Sequence, residues 1–407
     1  MEIHTRMECF FKYQRSRAAR ARTVESVLGI MMQRNMGAAA ASALSALQPA
    51  PVATEAPEDE SERLPFLDLR VSLSVESARP IEIWIDTLAG VGDGAVADDP
   101  LAPLRFLFLI EPDEVTGMAA RVDARCFHTV FAHNPAVLRD DARFPRSARF
   151  EHGGTWILAR DFNATADAMA AAKLRAAAAG SGLVSFICGS KRLTRGHRIR
   201  HALWRAQNEL HDDGAVRAVF FHSSAAKDAA FLRALVPNPR VPPPVLGARP
   251  QEKVNTLKAF CFHIAIENVA REGYFSEKLL DCFLTRTVPV YWGDPAIASY
   301  FDVSGMVLVG EPRGGGDSDD VAAGGDLTED LAVDLSEDLS PQAAATRSEE
   351  AVAARIVDLL RAGRCSLGEY ERIAASGAIE RNYAAAKRWI NLEARMSAAI
   401  SGALASG

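Results

Sequence analysis

The 407-residue chain contains no run of about 20 uninterrupted apolar residues, the length a helix needs to cross a bilayer. The nearest stretch, Leu28 to Leu47, is broken by Gln33, Arg34 and Asn35, which makes it a poor span and a poor secretory segment. Cysteine is scarce. The six residues, at 9, 126, 188, 261, 282 and 365, never form Cys-x-x-Cys, so neither a zinc ribbon nor a disulfide-dense scaffold fits. A reducing compartment is the default. Excess positive charge is missing too: 46 Lys+Arg face 52 Asp+Glu, a net of −6, which argues against a general nucleic-acid binder. No Gly-x-Gly-x-x-Gly, P-loop or Gly-x-Ser-x-Gly occurs, removing the commonest dinucleotide, NTPase and serine-hydrolase readings.

What is present suits a globular protein. Hydrophobic residues make up 48%, and the length suggests two or three domains. The acidity is local. Residues 311–350 hold twelve acids and two arginines, a net of −10, which leaves the other 367 residues at +4. A mildly basic folded part suits an anionic small ligand. Residues 1–64 read as a disordered leader and linker: an Ala-rich stretch with Pro49 and Pro51, then a charged run, neither able to supply a core. Seven Lys+Arg against three Glu in the first 35 residues also fit a transit segment.

From residue 65 onward, strand-like and helix-like segments alternate. Ile81–Ile85, Leu104–Ile110 and Phe127–Phe131 read as strands, and Ala164–Ala179 as a helix. A second unit opens at Leu183–Cys188. A helix follows from about Arg198 to Leu210, then a strand at Val216–Phe221 and a Pro-rich loop from Pro237 to Pro250. Phe260–Ile266 and Val288–Trp292 read as strands flanking a helix at Ser276–Leu284. Residues 311–350 read as a solvated acidic insertion, and helices resume at Ala351–Ala362, Leu367–Ala375 and Ile379–Leu404. The pattern predicts parallel sheets covered by helices, in two α/β domains around a cleft: 65–180 and 181–407.

The densest chemistry lies in Phe262-His-Ile-Ala-Ile-Glu-Asn268, Gly273-Tyr-Phe-Ser-Glu-Lys278 and Val288-Pro-Val-Tyr-Trp-Gly293. A strand ending at Ile266 releases Glu267 and Asn268 beyond a carboxyl end, where open α/β sheets bind ligands. Glu277 and Lys278 fall in a helix's first turn, where free N–H groups and the lysine favour an anion. Glu277 can accept from a diol such as a ribose. On spacing alone the commoner description is the plainer one, with Glu277 serving the helix dipole and Lys278 solvated at the surface. His197 and His201, four apart, could face one metal, but no third ligand stands nearby.

The wording of these segments resembles the α-1,3/4-fucosyltransferase family, glycosyltransferase family ten. The resemblance rests on Glu267-Asn268, Gly273-Tyr274-Phe275-Ser276-Glu277-Lys278 and Val288 to Gly293, with Ser276 in place of the commoner Thr. Upstream, Ser190-Lys191 followed by Gly196-His-Arg-Ile-Arg200 matches the segment in which an arginine contacts donor phosphate; Ser190 replaces the usual Asn, and Arg198 is the competing alignment for Arg200. Phe106 to Pro112 matches the acceptor-side unit, in which an acidic residue before proline, here Glu111, is the general base. A strand-end carboxylate facing a cleft is placed to take a proton from an acceptor hydroxyl.

The resemblance implies a GT-B type fold, two Rossmann-like domains facing a cleft. It implies inverting transfer of fucose from GDP-fucose to an acceptor glycan, with Glu111 as base. Arg200 and Lys278 would neutralise the diphosphate in place of a metal, and no cofactor is expected. Glu277 would hold the ribose, Tyr274 and Asn268 would line the donor pocket, and Glu267 would touch the transferred sugar. Another nucleotide sugar, or a non-catalytic sugar-nucleotide or glycan binder, are the alternatives. Nucleic acid is not an expected partner. Eukaryotic members of the family sit in the Golgi on an N-terminal anchor; the lack of a visible one here leaves peripheral membrane association and a cytoplasmic location open.

Overall fold

The computed structural model describes residues 3–7, 67–71, 81–86, 88, 103–154, 166–178, 183–212, 218–223, 225–246, 250–310, 341–390 and 392–406. Two six-stranded sheets organise them.

The first contains β1 (Ile3–Met7), β2 (Leu67–Val71), β3 (Ile81–Ile85), β4 (Leu104–Leu109), β5 (Thr129–Ala132) and β6 (Ser147–Arg149), in spatial order β2-β1-β3-β4-β5-β6. All neighbours are parallel except β1 and β2. The central strands read as near-continuous apolar runs because both faces are covered. Ile81, Ile83, Phe106, Phe108 and Phe131 face one way, against Met396 and Ile400. Trp84, Leu107 and Leu109 face the other, against Phe127, Val137 and Phe144.

The second sheet contains β7 (Val184–Cys188), β8 (Ala218–Ser223), β9 (Val245–Leu246), β10 (Phe262–Ile266), β11 (Val288–Trp292) and β12 (Val307–Leu308). It is wholly parallel, in order β9-β8-β7-β10-β11-β12. Chain order therefore reverses between β7 and β10. At such a switch point the flanking crossovers leave on opposite faces, and a crevice opens at the carboxyl ends.

The described helices of eight residues or more are α1 (Ala166–Ala178), α2 (Arg195–Arg205), α3 (Ala226–Leu235), α4 (Pro250–Ala259), α5 (Glu277–Leu284), α6 (Pro341–Arg361), α7 (Leu367–Ala375), α8 (Ala378–Ala386) and α9 (Leu392–Ser406). Two α/β units, each built on a wholly or largely parallel sheet, form the expected two-domain architecture.

Several expectations change in detail. The leader read as disordered over 1–64 contributes β1, which pairs with both β2 and β3; residues 8–64 lie outside the described residues. The acidic insertion was expected to run to 350, but α6 starts at Pro341 and buries Glu349, which pairs with Arg198 at 2.6 Å. Residues 311–340 lie outside the described residues. The single helix expected over Ile379–Leu404 is two, α8 and α9. Two helices, α3 and α4, arise where none was expected. Pro250 opens α4, at the first helical position where its missing N–H costs nothing.

The expected seam at residue 180 also differs from the packing. Helix α1 belongs with the second sheet: Leu174 and Ala177 join its core, and the buried Lys173 ammonium donates to Leu257 O (2.8 Å), Phe260 O (2.6 Å) and Thr287 Oγ1 (2.8 Å). Conversely, α9 returns to the first sheet. Arg395 on α9 donates to the carbonyls of Glu151 (2.6 Å) and Gly153 (2.8 Å) and lies over the rings of Phe150 and Trp389. No described helix is long and apolar enough to cross a membrane. Among the described residues the cysteines at 126, 188, 261, 282 and 365 are free and buried.

Candidate active site

The carboxyl ends of the two sheets meet. The amides of His152 and Gly153, just past β6, donate to Gly273 O (3.2 Å) and Phe275 O (3.0 Å), before α5. Arg149 reaches Glu272 (2.7 Å) and Tyr300 Oη (2.8 Å), and Arg271 pairs with Glu114. The loop between β10 and α5 is thereby held against the first unit.

Helix α5 starts at Ser276 because its hydroxyl accepts from the Lys278 amide. Such a cap contributes about 1 kcal/mol. Leu279, Leu280, Phe283 and Leu284 then bury one face, each adding roughly 1.5–3 kcal/mol. The helix mouth is further organised by Glu267, which is 0% exposed. Its carboxylate accepts from the Ser276 amide (2.8 Å) and hydroxyl (2.6 Å), and Lys278 Nζ stands 3.6 Å away. Glu267 therefore braces the helix start from inside, a correction to the expectation that it touches a sugar. Strand alternation explains the difference: the position just past Ile266 points into the protein, whereas a strand-end position read from sequence alone can point either way.

Lys278 keeps 21% of its side chain exposed and bonds Ser276 Oγ (3.1 Å) and Glu277 (3.2 Å). Burial works to raise the pKa of Glu277, but Lys278, Lys253 and His152 hold it well below the usual carboxylate range. The mouth thus carries a firmly ionised carboxylate beside a cation.

Across the switch point, Gly196 near the start of α2 lies against the backbone leaving β10, and its amide donates to Asn268 O (2.9 Å). A side chain here would collide: a Cβ would sit 1.7 Å from Glu267 O. One turn on, buried Arg200 donates to Ile266 O and to Asn268 Oδ1 (3.0 Å), and the Asn268 amide reaches Tyr274 Oη (3.3 Å). Burial lowers the Arg200 pKa. Arg200, not Arg198, is the arginine directed at the strand end, since Arg198 pairs with Glu349. The metal reading of His197 and His201 dissolves in local bonds: His197 pairs with the Thr194 hydroxyl in a helix cap, and His201 Nε2 meets Gly189 O at 2.9 Å.

Glu111 follows β4 in the first unit. Burial raises its pKa; Lys278 and Lys191 oppose the rise, and Glu277 adds to it. Charges of the second unit therefore act on Glu111, so the expected residues on both sides share one electrostatic environment. Tyr274 lies in the same place. Its phenol is held well above its ordinary range by burial and then by Glu111, Glu267 and Glu277.

Three residues here escaped the sequence reading. His133 and His152, following β5 and β6, flank the Tyr274 ring with centroids 5.1 and 5.0 Å away. Burial drives His133 down to about 3 and His152 to about 4. For His133, a histidine just past the apolar strand β5 was the available signal, whereas His152, three residues beyond the short polar β6, offered none. Asp86 ends β3 and binds the Glu111 amide; burial, then the Glu111 charge, push it up to about 8. A lone aspartate gave no signal.

No protein-family model matches the chain. A 64-residue stretch is 34% identical to the α-(1,3)-fucosyltransferase FucT of Helicobacter pylori, covering 16% of this chain and 13% of that enzyme. Among solved structures, an α1,3-fucosyltransferase with GDP aligns at 15% identity and TM-score 0.31, over 56% of this chain and 60% of that one. Anabaena Alr3699/HepE in complex with UDP and glucose aligns at 11% identity and TM-score 0.45, over 75% of this chain and 72% of that one. The chain thus spans only part of the length of these relatives, and its resemblance is to the α-1,3/4-fucosyltransferase family.

Proposed function

We propose that the protein is a glycosyltransferase that moves a sugar from a nucleotide-sugar donor to a hydroxyl of an acceptor glycan, inverting the anomeric carbon. By resemblance the donor is GDP-fucose. This reading is supported by the electrostatic influence of Lys278 and Glu277, at the mouth of α5, on Glu111 in the opposite unit. Glu111 takes the acceptor proton, the freed oxygen attacks the anomeric carbon, and the bond to the diphosphate breaks. A carboxylate whose pKa is lifted by burial suits that task.

The leaving diphosphate gains negative charge as it departs. Lys278, at the mouth of α5, and Arg200, beside the strand end, supply fixed positive charge, the role a metal would otherwise fill. Glu277, ionised throughout, accepts from the ribose hydroxyls. Asn268 and Tyr274, tied to each other and to Arg200, line the donor pocket. Glu267 acts one step back, by holding Ser276 and hence the helix mouth.

Thermal shift with GDP, UDP, CDP and their sugars tests the donor. A ligand at a hundred times its Kd adds about 2.7 kcal/mol of stability, and GDP and GDP-fucose are expected to do so. A shift with UDP alone overturns the guanine assignment. Glu111→Gln should lower kcat by roughly 10²–10⁴ while GDP affinity holds. Wild-type turnover in that variant removes Glu111 from the role, and GDP binding without turnover by the wild type would make the protein a binder.

A further inference from the structure

The β3–β4 ladder ends with Ile85 opposite Phe108, yet the next residue continues to work for β4. Asp86 donates its own amide to Phe108 O at 2.9 Å. It then turns to φ 49°, one of two non-glycine residues with positive φ among those described. For a residue with a Cβ that conformation costs about 1–2 kcal/mol, and such positions persist where the surroundings enforce them. The turn brings its carboxyl over the end of β4. Oδ1 accepts from the Ile110 amide at 2.9 Å, and Oδ2 from the Glu111 amide at 3.0 Å.

We propose that Asp86 is a positioning residue for Glu111: by holding the Ile110 and Glu111 amides beyond the last ladder pair, it fixes the backbone from which the Glu111 side chain meets the acceptor. This rests on the function proposed above. Two bonded amides leave the Glu111 backbone little freedom, and a base displaced by about 1 Å can lose two orders of magnitude in rate. Burial, then the Glu111 charge, push the Asp86 pKa up to about 8, so Asp86 makes these bonds while setting less negative charge beside Glu111 than an ordinary aspartate would.

A double-mutant cycle tests the assignment. Asp86→Gly removes both acceptors while relieving the backbone, so the fold is retained. It should lower kcat about tenfold or more, with GDP affinity by calorimetry within about twofold of wild type. Asp86→Asn keeps one acceptor oxygen and tolerates the same backbone, and should recover most of the loss. In the Glu111→Gln background, Asp86→Gly should cost less than about twofold further, because the group it positions is already gone. The proposal is overturned if Asp86→Gly turns over like wild type, or if its loss multiplies in full with that of Glu111→Gln, the signature of a structural effect independent of the base. Wild-type turnover in Glu111→Gln alone defeats the functional reading instead. Loss in Glu111→Gln with none in either Asp86 variant defeats only the positioning role.

Discussion

Gly196→Ala puts one methyl group against backbone that cannot rotate away. The added carbon would lie 1.7 Å from Glu267 O, 2.8 Å from Glu267 C and 2.9 Å from Asn268 O. Real Cβ atoms do not approach closer than 3.0 Å, so α2 must withdraw from β10 by more than an ångström. Overpacking of this kind costs about 1–3 kcal/mol, and the bond from the Gly196 amide to Asn268 O adds about 0.5–1.5 kcal/mol when it breaks. Alanine's better helix propensity returns at most about 1 kcal/mol. The net loss is about 0.5–3.5 kcal/mol, a fall in Tm of roughly 1–14 °C for a domain of this size. The functional cost is expected to exceed the stability cost. Arg200 rides on the same helix and would be drawn away from Ile266 O and Asn268, so GDP affinity should fall about tenfold or more. Gly368→Ala is the matched control: Gly368 lies in α7 with open space around its missing Cβ, and the change should leave GDP binding untouched. Differential scanning and calorimetry on both variants decide the matter. Wild-type Tm and GDP affinity in Gly196→Ala would refute the close approach of α2 to the strand end.

His263, buried in β10 against Ser185 Oγ at 2.8 Å, is held down to about 3 from 6.5 by burial and then by Lys253. Its folded-state pKa is depressed, so the neutral ring contributes stability present above pH 6.5 and lost as pH falls toward 3. In urea titrations, the advantage of wild type over His263→Gln should shrink by up to about 1.4 kcal/mol per pH unit below 6.5; an advantage constant between pH 7 and 5 would contradict this. Lys173→Met keeps the apolar stem but strands the Phe260 carbonyl, costing about 1–3 kcal/mol, while the Leu257 carbonyl keeps its bonds from the Thr287 hydroxyl and the Phe260 amide. An unchanged urea midpoint would show that the ammonium is not the tie between α1 and the second sheet.

Much of the fold was legible because its sheets are buried on both faces. Runs such as Ile81–Ile85, Val184–Cys188 and Val288–Trp292 carry few polar residues and so announce themselves. Helix α4 hid behind the prolines that precede it, and the first half of α6 behind its acidic approach, although its second half was expected from Ala351. Which sheet a helix joins is not written in its periodicity: Ala-rich α1 has no apolar stripe strong enough to choose a partner, and what ties it is Lys173, which reads from sequence as a surface charge. In the site, a strand end places Glu111 and a helix start places Glu277 and Lys278, whereas Tyr274 was reached only through the family resemblance. The inward turn of Glu267 and the reach of Asp86 across to β4 depend on side-chain direction, which spacing alone leaves open.

The return of α9 to the first unit has a consequence for biosynthesis. The phenylalanines at 106, 108 and 131 are finished on one face only when Met396 and Ile400 arrive. Domains generally form in the order the ribosome delivers them. Here the earlier lobe must wait, one flank bare, until the later lobe has been made, and the helix that closes it reaches back across more than two hundred residues of sequence. Nascent chains halted before residue 392 would therefore present that aromatic flank to chaperones, whereas the second lobe, whose sheet, α1, α6 and α7 all precede that point, could already be complete.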